Sequence, residues 1–231
     1  MTDRPLKLLS SMATRELLAA LADQYQRERG RPVITEAAGG VDVAKRVEAG
    51  EAADVVVLAS NVIDKLIAAG KLRTGSRADL VRSGVSVAVP AGAARPDLST
   101  EEAVKRAVLA AKSLSYSTGP SGVYLEKLFE RWGILDQIRA RIVVPRPGIP
   151  VGSLVAGGAA ELGFQQLSEL MNLPGVDVVG PLPPSIQTMT VFSGGISARS
   201  DDAEGARALL EYLASPEVSA VKQRYGMEAA G

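Results

Sequence analysis

Four short stretches of this 231-residue chain combine hydroxyl and glycine residues in the way an anion receptor needs. They are Ser10-Ser11-Met12-Ala13-Thr14, Ala38-Gly39-Gly40-Val41, Ser117-Thr118-Gly119-Pro120-Ser121-Gly122 and Gly148-Ile149-Pro150-Val151-Gly152-Ser153. Each lies between a strand-like run and a helix-like segment, so each can turn free backbone N–H groups and the positive end of a helix dipole toward a negative charge. One such contact contributes roughly 0.3–1 kcal/mol, and a single junction on its own reads as a cap or a turn. The four together point to a ligand. The candidate contacts are Ser10, Ser11, Met12, Thr14, Gly39, Gly40, Ser117, Thr118, Ser121, Tyr124, Pro150 and Val151. To these are added Gln165 and Gln166, two amides directly after an apolar run, and Arg146, which stands between Pro145 and Pro147.

What the composition excludes narrows the chemistry further. The chain has no His and no Cys, which removes imidazole and thiolate metal ligands, a cysteine nucleophile and the usual general base near neutral pH. Neither a metal nor a cofactor is expected. Lys plus Arg and Asp plus Glu number 26 each, so no broad positive field exists for nucleic acid, and a small anionic ligand must be met locally. No apolar run approaches the roughly 18 residues of a membrane span. The start Met1-Thr2-Asp3-Arg4-Pro5 carries no secretory signal, which implies the periplasm if a signal was removed and the cytoplasm otherwise. Glu36, Glu126, Glu169 and Tyr124 are the nearby types able to move a proton, and nothing in the sequence singles out one of them as a catalyst.

The elements that must position these residues alternate. An apolar run at Leu6–Leu9 precedes a helix with Leu17, Leu18, Leu21 and Tyr25 at helical spacing, ended by Gly30. Val33–Glu36 reads as a strand followed by a helix through Val43 and Val47, and Asp54–Leu58 as a fully buried strand before a helix through Ile63 and Leu66. Val85–Val89 is a strand that ends in the breaker-rich stretch from Pro90 to Asp97. A second series follows: helix 101–111, strand 113–116, helix 121–132, strand 142–144, a short helix at 151–156 and strands at 162–164 and 176–179. A β-run at 188–196 and helices at 202–213 and 216–225 close the chain. This pattern predicts an α/β protein with two Rossmann-like lobes, a hinge and an interdomain cleft. Lobe 1 is discontinuous, residues 1–88 plus 190–231, and lobe 2 is inserted as residues 89–189.

At these junctions the chain resembles the periplasmic molybdate-binding proteins of ABC transporters, within the type II periplasmic binding-protein fold. The resemblance is carried by Ser10-Ser11-Met12-Ala13-Thr14, by the segment from Val47 to Val55 that ends in Ala53-Asp54-Val55, by Pro120-Ser121-Gly122-Val123-Tyr124, and by the closing helix with Lys222, Arg224, Tyr225 and Gly226. It implies a solute-binding protein with hinge closure and an ABC permease as a partner. The departures are also specific. Met12 falls where the family places its first Ser, Gly39-Gly40-Val41 replaces a Ser-rich loop, and Gln166 stands where a Tyr belongs; together they imply a ligand other than molybdate. The stretch Gly163 to Leu170, with Gly180-Pro181-Leu182-Pro183 and Thr190-Val191-Phe192-Ser193, looks like a divergent branch that includes aconitate isomerase. The expectation is therefore a binding protein for a di- or tricarboxylate, or alternatively an isomerase of the aconitate type on the same scaffold.

Overall fold

A computed structural model describes residues 4–146 and 148–230; Pro147, beside Arg146, lies outside them, as does the opening Met1-Thr2-Asp3. In chain order the elements are β1 (Leu6–Ser11), α1 (Arg15–Arg29), β2 (Val33–Ala38), α2 (Gly40–Glu48), β3 (Val55–Ala59), α3 (Ser60–Ala68), β4 (Ala78–Pro90), α4 (Glu101–Ala110), β5 (Leu114–Tyr116) and α5 (Pro120–Arg131). There follow α6 (Leu135–Ile138), α7 (Val151–Ala156), β6 (Leu162–Gln166), α8 (Leu167–Leu170), β7 (Val176–Pro181), β8 (Met189–Ile196), α9 (Ala203–Ala214), α10 (Ser219–Arg224) and β9 (Glu228–Ala229). The chain divides into two compact units, Met1–Arg82 with Val191–Gly231, and Ser83–Thr190. It passes from one to the other inside β4 and returns inside β8.

The first unit carries strands in the order β2-β1-β3-β8-β4. β1 runs parallel to β2 and β3, while β8 lies antiparallel to β3, with Val55 opposite Ile196. Every residue of β3 is buried, as its unbroken Val-Val-Val-Leu-Ala run requires of a strand covered on both faces. One face packs Leu6, Leu8, Val55 and Val57 against α1, α9 and α10. The other packs Leu9, Val56 and Leu58 against α2 and α3. Helix α1 stops at Gly30, whose φ of 72° is strained for a residue with a Cβ.

The segment ending in Ala53-Asp54-Val55 has a structural role in this unit. Asp54 is buried at the start of β3, where its carboxylate accepts two hydrogen bonds from Arg4 at 2.7 and 2.9 Å, one from the Lys7 N–H at 2.9 Å and one from the Ser200 hydroxyl at 2.6 Å. Burial alone would raise its pKa; Arg4, Ser200 and the Lys7 N–H outweigh that and hold it below the usual carboxylate range. Since β1 and β3 are parallel, Asp54 lies at the end of the sheet opposite Ser10 and Ser11.

The second unit contains a four-strand sheet, β5-β6-β4-β7, with β5 parallel to β6 and β4 antiparallel to both neighbours. Its core gathers Phe129, Phe164, Leu125, Val87 and Leu114. Three elements differ from the sequence expectation. Strand β4 begins at Ala78, well before Val85, because pairing with β9 through Val81 and Arg82 extends it through a stretch of mixed polarity. Residues 142–144 form no strand: a single bridge joins Leu114 to Ile142, and Pro145 follows. The last helix is not continuous from Pro216, since a 3-10 turn at Pro216–Val218 precedes α10.

Candidate functional site

In the first unit the candidates cluster where β1 ends. Side chains alternate along a strand, so Ser10 shares the face of Leu6 and Leu8, and Ser11 shares that of Leu9. Ser10 is 1% and Ser11 7% exposed, and neither hydroxyl has a hydrogen-bond partner among the described residues. A buried hydroxyl left unpaired costs about 1–3 kcal/mol, so two in succession at a strand end are unusual and mark a place that a ligand can satisfy. Thr14 is also buried, but its hydroxyl is occupied, donating to the Ser11 carbonyl at 3.2 Å and fixing the turn. Met12 is half-buried.

The second loop meets the first at Ser11. A Cβ placed on Gly40 would lie 3.8 Å from the Ser11 Cβ, an ordinary packing distance, so the start of α2 packs beside Ser11. A Cβ on Gly39 would lie 3.0 Å from an Asp42 carboxylate oxygen. This carboxylate in the first turn of α2 already meets the positive end of its dipole, so Gly39 and Gly40 contribute close approach more than charge.

In the second unit, the loop before α5 brings Ser117 and Ser121 together, their hydroxyls 3.0 Å apart. Gly122 makes this possible: a Cβ there would fall 1.5 Å from the Ser117 carbonyl oxygen, so only glycine allows the loop to fold back on its helix. Ser121 is buried, Ser117 half-buried and Thr118 exposed. One donor of the Ser117/Ser121 pair satisfies the other, which leaves one hydroxyl hydrogen and the Thr118 hydroxyl for a ligand.

The remaining candidates are committed elsewhere or stand apart. The Tyr124 hydroxyl donates to the Ile186 carbonyl at 2.7 Å, and burial pushes its pKa up. Gln165 accepts from the Gly152 N–H at 3.3 Å and donates to Glu169 at 2.7 Å, tying α7 to α8. The Gln166 amide is best satisfied with its NH2 toward the Ser83 carbonyl at 3.0 Å and the Gly84 carbonyl at 3.2 Å, its oxygen accepting from the Thr190 hydroxyl at 2.9 Å. It thus clamps β6 to the unit's first and last residues, a role that Ser83 and Thr190 did not advertise in the sequence. Arg146 is exposed. Pro150 caps α7, and Val151 is buried beside Gly163, where a Cβ would lie 3.0 Å from its methyl.

The proton-transfer types are similarly constrained. Glu36 is paired with Lys7 at 3.0 Å and Arg46 at 2.7 Å. Lys7 first and Arg46 second hold its pKa below the usual range. Glu51, bridged chiefly by Arg46, is pulled down to about 2. Glu126 is exposed. Sequence reasoning missed the burial of Lys222, an α10 side chain that is 1% exposed. Its signal was a charge on the buried stripe of Val218 and Val221. Among the described residues, no group of three or more His, Cys, Asp or Glu is placed to hold a metal ion.

Residues 6–228 match the family described as bacterial extracellular solute-binding protein. The chain belongs to this family. This solute-binding protein is 38% identical over 231 residues to the aconitate isomerase of Pseudomonas sp, covering 96% of this chain and 87% of that one. It is 22% identical to the molybdate-binding protein ModA of Escherichia coli K12, covering 89% and 82% respectively. Its structure superposes on the periplasmic molybdate-binding protein of Azotobacter vinelandii with a TM-score of 0.80 at 22% identity, over 96% and 98% of the two chains. That likeness establishes the type II periplasmic binding fold. No helix among the described residues of this solute-binding protein is long and apolar enough to cross a membrane.

Proposed function

We propose that this solute-binding protein takes a small organic polycarboxylate as its ligand. The observation that carries the reading is the pair of buried, unpartnered hydroxyls of Ser10 and Ser11, donors without acceptors at the carboxyl end of β1. Within the second unit, Ser117, Thr118 and Ser121 form a separate group of hydroxyls. Val41 follows Gly40 and Val123 follows Gly122 in sequence, and both are exposed aliphatic residues. A carbon-bearing acid has methylene surface to place against them, whereas a bare inorganic oxyanion has none. In a transport role the partner is an ABC-type permease.

A second reading, conversion of the bound acid, is favoured by a specific finding. Identity to a relative named aconitate isomerase reaches 38% over nearly the whole chain, against 22% for one named molybdate-binding. One experiment tests both. The protein is melted with cis-aconitate, trans-aconitate, citrate, molybdate and sulfate, and each stabilising acid is followed by NMR. A ligand at about 100 times its Kd adds roughly 2.7 kcal/mol, a clear rise in Tm. Stabilisation by molybdate alone refutes the polycarboxylate reading, and an unchanged NMR spectrum of a bound aconitate refutes conversion.

A further inference from the structure

Lys222 is a lysine where a methionine would pack as well. It sits on the buried stripe of α10, and its ammonium has no hydrogen bond or ion pair among the described residues. It lines a narrow, mostly apolar void walled by Leu17 of α1, Val57 of β3, Val81 of β4, Leu213 of α9 and, at the strand-end loop, Thr14. No other lining residue carries a titratable group. With no counter-charge beside it, burial lowers the amine's pKa from its usual value.

The position of the void matters as much as its apolar lining. Val57 is the register partner of Ser10, and Thr14 holds the Ser11 carbonyl. Ser10 shares the face of Leu6 and Leu8, which pack in the same cluster as α10. The unpartnered Ser10 hydroxyl and the Lys222 amine, buried without a counter-charge, therefore lie on one face of the sheet near its carboxyl end. Each is a cost to the unliganded fold, and one negative charge placed on the loop relieves both. The hydroxyl gains an acceptor, and the ammonium gains an opposite charge through a medium of low dielectric constant.

We propose that Lys222 is a specificity-determining residue of the anion site, supplying from behind the Ser10–Thr14 loop the positive charge that complements a bound carboxylate, so that the acid binds together with a proton. This rests on the reading that Ser10 and Ser11 receive an anion. The sign follows from linkage. Affinity is highest below the pKa of the amine in the free protein and weakens as pH rises through it toward the higher pKa of the complex.

Titration calorimetry tests this on the full chain, with trans-aconitate and citrate as probes, from about pH 7.5 to pH 10, where both acids are fully ionised. Two buffers of different ionisation enthalpy report proton uptake. The wild type is expected to take up a proton and to bind more weakly as pH rises. Lys222→Met is expected to melt higher without ligand, to bind at least tenfold more weakly at the lower pH, and to take up no proton. Wild-type binding with no proton uptake and a pH-independent Kd overturns the inference, and so does unchanged affinity in Lys222→Met. The wild-type measurement stands even if that variant fails to fold. If neither acid binds the wild type, the polycarboxylate reading itself falls and this inference with it; binding without proton linkage removes this inference alone.

Discussion

Replacing Ser10 and Ser11 by alanine should strengthen the unliganded protein while weakening its hold on the ligand, and this opposition of signs is the sharpest test of the site. Both hydroxyls are buried without a partner, so each Ser→Ala change removes an unsatisfied polar atom whose burial costs about 1–3 kcal/mol. Taking the lower figure, each change adds about 1 kcal/mol. Because the two side chains point to opposite faces of β1 and share no partner, the gains add to about 2 kcal/mol in the double variant. For a chain of this length 1 kcal/mol moves Tm by roughly 2–4 °C, so the unliganded double variant should melt about 4–8 °C higher. Ligand binding moves the other way, since losing a donor to a buried anion costs about 1–3 kcal/mol, or roughly 5- to 150-fold in Kd for each serine. Scanning calorimetry without ligand and titration with the stabilising acid measure the two effects separately. A fall in the unliganded Tm would show that the hydroxyls are already satisfied, and unchanged affinity would remove them from the site; either result refutes the reasoning.

Three further outcomes follow from the geometry. Gly122→Ala should lower stability by about 1–3 kcal/mol or more, because its methyl would collide with the Ser117 carbonyl oxygen. If the loop had room, alanine in a helix would instead gain about 1 kcal/mol, so the sign seen in urea unfolding decides. Asp54→Asn should cost about 1–3 kcal/mol by weakening the hydrogen bonds its buried carboxylate accepts from Arg4, Lys7 and Ser200, yet leave ligand affinity unchanged when measured well below the melting range, because it acts at the far end of the sheet. Glu51 has its pKa depressed from 4.5 to about 2, so its contribution is present above pH 4.5 and disappears as pH falls toward 2. Glu51→Gln should flatten that limb of the Tm-against-pH curve, and a limb as steep as in the wild type would exclude this bridge as its source.

Much of the fold could be read from periodicity, because its elements are locally marked. The unbroken Val55–Leu58 run could only be a doubly covered strand, and Leu17, Leu18, Leu21 and Tyr25 could only be one face of a helix. The length of β4 was hidden because Arg82, Ser83 and Gly84 interrupt the pattern while pairing through backbone, which has no sequence signature. The donors were legible for the same local reason: Ser10, Ser11, Ser117 and Ser121 stand where strands turn into helices. What each hydroxyl or amide is bonded to depends on residues far away in sequence. The Gln166 amide meets Ser83, Gly84 and Thr190, all distant along the chain and unmarked by any local pattern. Lys222 could be read only as part of the closing-helix motif, because a lysine on a helix is ordinarily solvated, and only packing shows that this one is not.

The interleaved connectivity has a consequence for biosynthesis. The middle portion, Ser83–Thr190, is contiguous and leaves the ribosome in one piece, whereas the flanking portion lacks β8, α9 and α10 until that middle portion has been made. At typical elongation rates of 5–20 residues per second, β3 waits roughly 7–27 s for the strand that covers its open edge. During that interval its unpaired valines are the part of the nascent chain with most need of a chaperone. A premature stop before Val191 would leave that edge permanently bare.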